Sequence, residues 1–105
     1  MPAFWFTAST EEFTPSQMLE QSRAAEEAGF DGLGASDHFA PWWPEGQATQ
    51  AWVYLGALGQ VTSLPMATGV TPVLHHYHPG VIAQAFMSLA EMYPGRITLG
   101  VGSGE

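Results

Sequence analysis

Cysteine and lysine are both missing from this chain of 105 residues, and Arg23 and Arg96 are its only fixed cations. The first absence rules out a disulfide framework, a thiol nucleophile and a cysteine-type zinc site. The second argues against nucleic-acid binding, which needs a Lys/Arg footprint, and against docking on an anionic membrane surface. No apolar run reaches the ~18 residues that a membrane span needs. The opening Met-Pro-Ala-Phe-Trp-Phe has no positively charged n-region, so no signal peptide is expected. Ten acidic residues leave a formal net charge of −8, while a hydrophobic content of 46% argues against disorder. The expectation is an acidic, soluble, cytoplasmic α/β protein, one domain or part of one. A lysine-free, acid-rich surface also suits a high-salt cytoplasm, such as that of a halophilic archaeon, because screening removes self-repulsion.

Four strand patterns alternate with three helical ones. The strands are expected at residues 3–7, 32–35, 66–70 and 97–101. Thr14, Pro15 and Gln17 have the pattern of an N-cap, a first helical position and a capping box, and Gly29 stops that first helix. A second helix is expected over 49–61, with Trp52, Leu55 and Leu58 on one stripe and close packing at Gly56 and Gly59. A third opens at Pro79. Its Ile82, Ala85, Phe86, Leu89 and Met92 repeat at helical spacing as an apolar face, and Pro94-Gly95 ends it. The roughly 30-residue βα period predicts a parallel sheet. Two architectures fit: a small open doubly wound sheet, or the first half (about four βα units) of a TIM-type (βα)8 barrel, which takes ~250 residues in full. The glycine-rich turn after the last strand asks for a following helix, so residues 1–105 are expected to be a single partial domain, the half barrel.

In parallel α/β folds, ligands bind beyond the carboxyl ends of the strands. Here those ends carry Ser9-Thr10, Ser36-Asp37-His38, Thr71-Pro72 and Gly102-Ser103-Gly104-Glu105. His38 can move a proton near neutral pH. Asp37 points to the other face and accepts a hydrogen bond from a cofactor, or else the pair is a turn beside a surface histidine. Ser36 reads as a turn residue. Trp42 and Trp43 either cover a ligand or pack within their loop. His75 and His78 suggest a metal site, but Pro79 restrains residue 78 and no acid lies near, so a capping histidine fits better and no metal is expected. Gly100-Val101-Gly102-Ser103-Gly104 lets backbone N–H groups approach a cofactor, although its spacing and position do not fit a nicotinamide fingerprint. Glu105 is a general acid or base, or the first-turn acid of a next helix. Gly69 marks a bulge against a cofactor ring or a tight strand.

Taken in order, Ser36-Asp37-His38-Phe39-Ala40-Pro41-Trp42, Thr68-Gly69-Val70-Thr71-Pro72, Tyr77-His78-Pro79-Gly80-Val81-Ile82-Ala83-Gln84-Ala85, Gly95-Arg96-Ile97 and Leu99-Gly100-Val101-Gly102-Ser103-Gly104-Glu105 resemble the bacterial-luciferase-like superfamily. More narrowly they resemble its deazaflavin branch, the coenzyme F420-dependent glucose-6-phosphate dehydrogenases and their relatives. The resemblance implies a (βα)8 barrel whose first four strands are here. It implies that Asp37 contacts the deazaflavin, that His38 and Glu105 transfer protons, and that Trp42 lines the space over the reacting carbon. A non-prolyl cis peptide would map to Gly69-Val70, and Ser103 and Gly104 would touch the cofactor. The family's threonine after strand three aligns with Pro72, leaving Thr71 as the nearest hydroxyl. The implied reaction is hydride transfer from a hydroxylated, sugar-phosphate-like small molecule to F420, by a protein that is a homodimer at full length. FMN-dependent monooxygenases and methylenetetrahydromethanopterin-reductase-like enzymes are the alternatives within the family. A non-catalytic half-barrel module is the alternative outside it, since open sheet edges would need a partner.

Overall fold

The computed structural model describes residues 1–74 and 77–104. Its elements run β1 (Trp5–Ala8), α1 (Pro15–Glu27), β2 (Gly32–Ala35), α2 (Ala51–Leu58), β3 (Met66–Thr68), β4 (Thr71–Pro72), α3 (Pro79–Met92), β5 (Ile97–Thr98) and β6 (Val101–Gly102). Strands β1-β2-β3-β5 form one sheet in that order, and β4 pairs with β6 in a second. Every pairing is parallel. All the carboxyl ends therefore point the same way and share one rim. No helix among the described residues is long and apolar enough to cross a membrane.

Local chemistry explains the helix limits. Thr14 and Gln17 exchange side-chain and backbone hydrogen bonds in a reciprocal capping box, as their spacing predicts. At the other end of α1, Gly29 takes φ +98°, a left-handed conformation that side chains resist. Helix α2 is shorter than its expected 49–61. Gln50 is its cap, and beyond Leu58 the bonds tighten to Gln60 N–H→Ala57 O and Val61 N–H→Leu58 O, so the α-helix ends there in narrower turns. Thr49 instead donates its hydroxyl to Phe13 O.

The core is packed between the sheet and the helices around Met18, Leu33, Tyr54, Leu55, Leu58, Met66 and Leu89. Each large apolar side chain so buried contributes about 1.5–3 kcal/mol of transfer free energy. Ser22 on α1 meets Tyr54 OH at 2.7 Å, and Tyr54 donates to Met18 O at 3.0 Å, which ties α1 to α2 inside that core. The expected apolar face of α3 is largely present, with Ile82 and Leu89 buried and Ala85 and Phe86 packed against the core. Met92 departs from it at 50% exposure, and the adjacent Tyr93 is buried in its place. Tyr93 donates to Gly56 O, and its ring lies flat against Gly59.

Two of the expected strands are interrupted, the first at the glycine expected to mark a bulge and at the peptide that the resemblance implied to be cis, the second where no interruption was expected. The 66–70 strand breaks at a cis Gly69–Val70 peptide, and the 97–101 strand breaks at Leu99-Gly100. Across the gap the Thr68 hydroxyl donates to Gly100 O and accepts from Gly100 N–H, at 3.0 and 3.1 Å. A side chain thus replaces a stretch of backbone ladder. A Cβ at Gly100 would sit 2.0 Å from Thr68 O, so only glycine lets the segments come this close.

A Cβ at Gly59 would lie 2.2 Å from the Tyr93 ring, which is buried and hydrogen-bonded at its hydroxyl. Gly59→Ala is expected to destabilise the protein by about 1–3 kcal/mol through overpacking. Urea unfolding of the protein expressed from its complete reading frame measures this, and an unchanged midpoint would mean that the ring has room to move.

Candidate active site

The rim formed by the strand ends encloses a cleft of about 560 Å³. That is a usual size for a small-molecule site. Asp37, His38 and Trp42 line one side of it, after β2. Val70 and Pro72 come from the β3–β4 break, and Gly102, Ser103 and Gly104 from the end of β6. Residues separated by more than sixty positions meet here because each ends a neighbouring parallel strand.

The loop after β2 is held by the loop after β1. Gln47 N–H donates to Glu11 O at 2.7 Å, and Thr49 N–H donates to Thr10 O at 3.1 Å. Ser36 Oγ accepts from Thr10 N–H at 2.9 Å. Within this clasp Glu11 is only 1% exposed. Its Oε2 accepts from Ser9 and Ser36, each at 2.7 Å, and its Oε1 from His38 Nδ1. Burial alone would push the Glu11 carboxyl up. The bonds from Ser9, Ser36, its own backbone N–H and His38 outweigh that and hold it below its ordinary value. A carboxylate only accepts, so His38 Nδ1 carries the proton and, in the neutral ring, Nε2 is left as the acceptor. Trp42, 60% exposed, sets its ring 5.3 Å from the His38 ring, and Trp43 follows 6.1 Å beyond.

Asp37 diverges from His38, as alternation along a strand end predicts. It is 3% exposed and accepts from Thr71 Oγ1 at 2.8 Å and from Tyr77 OH at 2.9 Å. Burial raises the Tyr77 pKa, and the Asp37 charge and the bond to it raise it further, well above the ordinary phenol value. Tyr77 therefore stays a donor across the physiological range.

The expected residues do not all meet at the cleft. Asp37, His38, Trp42, Val70, Ser103 and Gly104 line the cleft, and Gly69 lines a smaller cavity of about 270 Å³ beside Glu11 and His38. Thr71 does not line the cleft. It is fully buried and its hydroxyl is committed to Asp37, and Pro72, itself buried, is the residue of β4 that borders the cleft. Glu105 and His75 lie outside the described residues. His78 is the N-cap of α3, its ring accepting from Gly80 N–H at 3.0 Å. Among the described residues no cluster could hold a metal ion. Glu11 and Tyr77 were not foreseen in these roles. Glu11 sits in a plain acidic pair with Glu12, and only its placement beside a strand end hinted at the site.

The full length of the chain, residues 1–105, matches the family model for luciferase-like monooxygenases. The chain belongs to the luciferase-like monooxygenase family. It is 48% identical over 104 residues to an F420-dependent glucose-6-phosphate dehydrogenase of Microbacterium testaceum, covering 97% of this chain and 31% of that protein. It is 44% identical over 99 residues to an F420-dependent hydroxymycolic acid dehydrogenase of Mycobacterium tuberculosis, covering 92% of this chain and 28% of that one. A solved F420-dependent secondary alcohol dehydrogenase, in complex with an F420-acetone adduct, matches with a TM-score of 0.92 at 40% identity. The match covers 98% of this chain and 32% of the solved one. The chain thus spans less than a third of the length of these relatives, and its parallel sheet corresponds to part of the luciferase-like (βα)8 barrel.

A carboxyl held below its ordinary value stabilises the fold fully above pH ~4.5, and that contribution vanishes as pH falls through the lower folded value. Glu11→Gln is therefore expected to cost about 1–3 kcal/mol at pH 7. The gap to the parent should close on acidification toward pH 3. Melting curves of both proteins across that range check it, and a gap that is independent of pH would remove the linkage.

Proposed function

We propose that the protein is an F420-dependent dehydrogenase acting on a hydroxyl-bearing carbon, with this chain forming the first half of its barrel. The observation that carries the reading is the cleft, in which Asp37, an anchored His38 and Trp42 face a wall of Val70, Pro72 and a glycine turn. Relatives at 40–48% identity are named as F420-dependent dehydrogenases of glucose 6-phosphate, hydroxymycolic acid and secondary alcohols, and share that hydroxyl-bearing carbon as their chemistry.

The donor set suits a planar heteroaromatic group. Val70 and Pro72 present apolar surface to a ring face, and a Cβ at Gly102 would already lie 2.5 Å from Val70, so the turn stays thin. Asp37 would accept from a ring N–H, and the Ser103 and Gly104 backbone could approach the polar edge of such a group. When bound, the deazaflavin supplies the hydride acceptor. His38 accepts the substrate hydroxyl proton at Nε2 as the carbon becomes a carbonyl, and Glu11 stabilises the imidazolium that results. Trp42 shields that proton from bulk water. Glu105 is the second proton-transfer group. Neither arginine lines the cleft: Arg96 is bound to Thr62 O and Leu64 O ahead of β5, at the far end of the strands. A sugar-phosphate substrate would therefore have its phosphate held by cations outside this chain.

Titration of the protein from its complete reading frame with F420 and with FMN tests the reading. Tight binding of F420 and reduction of its chromophore by an alcohol substrate are expected. FMN binding alone would move the protein to the monooxygenase reading, and binding of neither would overturn both. His38→Ala should lower kcat by about 10²–10⁴-fold without weakening F420 binding. Glu11→Gln should lose much of the same, because the amide donates to Nδ1 and moves the ring proton to Nε2.

A further inference from the structure

We infer that Gln50 and Tyr77 form a positioning relay that orients the Asp37 carboxylate, and so set the affinity of the cleft for a planar ring bearing an N–H donor. The inference rests on the deazaflavin reading and gives a role to Gln50, which no motif included, and to Tyr77, which the resemblance quoted without a role.

The direction of the relay follows from one commitment. Gln50 is the N-cap of α2, and its Oε1 accepts from Val53 N–H at 2.8 Å. With the amide oxygen fixed there, Nε2 must face the other way, and it donates to Tyr77 OH at 2.9 Å. A phenol has one proton, so Tyr77, now an acceptor from Gln50, gives its own to Asp37 Oδ1 at 2.9 Å. Thr71 donates to Oδ2 at 2.8 Å. Two donors on opposite oxygens fix the plane of the carboxylate, and each oxygen keeps a further lone pair for a ligand. Asp37 is 3% exposed, so rotation away from these donors would leave a buried charge short of partners. The start of a helix thus determines which way a cofactor-facing carboxylate is turned. A second cavity, of about 290 Å³, is lined by Gln50, Tyr77, Asp37 and His38 together with Phe39 and Ala48, so the residues of the relay share one open space beside the carboxylate.

Tyr77→Phe removes the donor, and Gln50→Glu reverses it. The new carboxylate keeps the shape and still caps Val53 N–H, but its second oxygen can only accept, which draws the Tyr77 proton away from Asp37. The probe is a deazaflavin chromophore without its phosphorylated tail, followed by fluorescence on the protein from its complete reading frame. Each single variant should weaken its binding about ten-fold, as expected for one hydrogen bond to a charged group. The double variant should be no weaker than the weaker single one, because both changes act on one proton. The substrate KM should not move. Parent-like binding by Tyr77→Phe, or additive losses in the double variant, would overturn the relay. Should Tyr77→Phe fold poorly, Gln50→Glu carries the test at an unchanged melting temperature, and parent-like binding there overturns it equally. A parent that binds no deazaflavin defeats the proposed function instead. Additive melting-temperature shifts across the same three variants would then defeat the relay as well.

Discussion

A single buried carboxylate organises the mouth of this sheet. Glu11 is almost fully enclosed yet charged, and burial of a charge is costly unless donors surround it. Ser9, Ser36 and His38 surround it here, and they come from two different loops. Satisfying one anion therefore draws the segment after β1 and the segment after β2 into a fixed relation. The backbone bonds from Gln47 and Thr49 complete the same clasp and fix where the tryptophan loop starts and ends. His38 inherits its tautomer, and Trp42 its place beside the imidazole, from that one requirement.

The opposite wall is shaped by different means. The sheet does not continue as a regular ladder into the cleft. It breaks after Thr68, where the Thr68 hydroxyl accepts from Gly100 N–H and shares the Gly100 carbonyl with Thr71 N–H. Two short strands resume beyond the break, so Val70 and Pro72 face the cleft while Thr71 turns inward to Asp37. Apolar surface and a held carboxylate then stand side by side. That pairing gives the proposed deazaflavin site its character: a flat apolar face for a ring and a fixed acceptor for its polar edge.

Parts of this were legible in the residues alone. The capping box at Thr14 and Gln17, the left-handed stop at Gly29 and the βα period are local or periodic signals, and they survive because tertiary contacts do not oppose them. The rim placement of Asp37, His38, Trp42, Ser103 and Gly104 followed from the rule that parallel strands present their carboxyl ends together. The break at 69 was foreshadowed by the glycine expected to mark a bulge and by the cis peptide that the resemblance implied there, whereas the break at 99 was not legible, because nothing in Leu99-Gly100 signals that a side chain replaces part of the ladder. Thr71 was expected near the cofactor through the resemblance, as the hydroxyl nearest the family's threonine, and its actual direction depends on where Asp37 lies. Glu11 and Tyr77 carry no spacing that marks them. Their importance comes from partners 27 and 40 residues away.

The alternation of strands and helices, the parallel class of the sheet and the polar groups at its strand ends all follow from residue order, because each depends on hydrophobic period, caps and turn residues that neighbours in the chain supply. Which of those groups are paired, which nitrogen of His38 is left as an acceptor and which face of the β3–β4 break meets the cleft emerge only once the chain is packed. Those outcomes turn on hydrogen-bond donors brought together across the sheet, and a donor's partner is a matter of distance in space, which no reading along the chain contains.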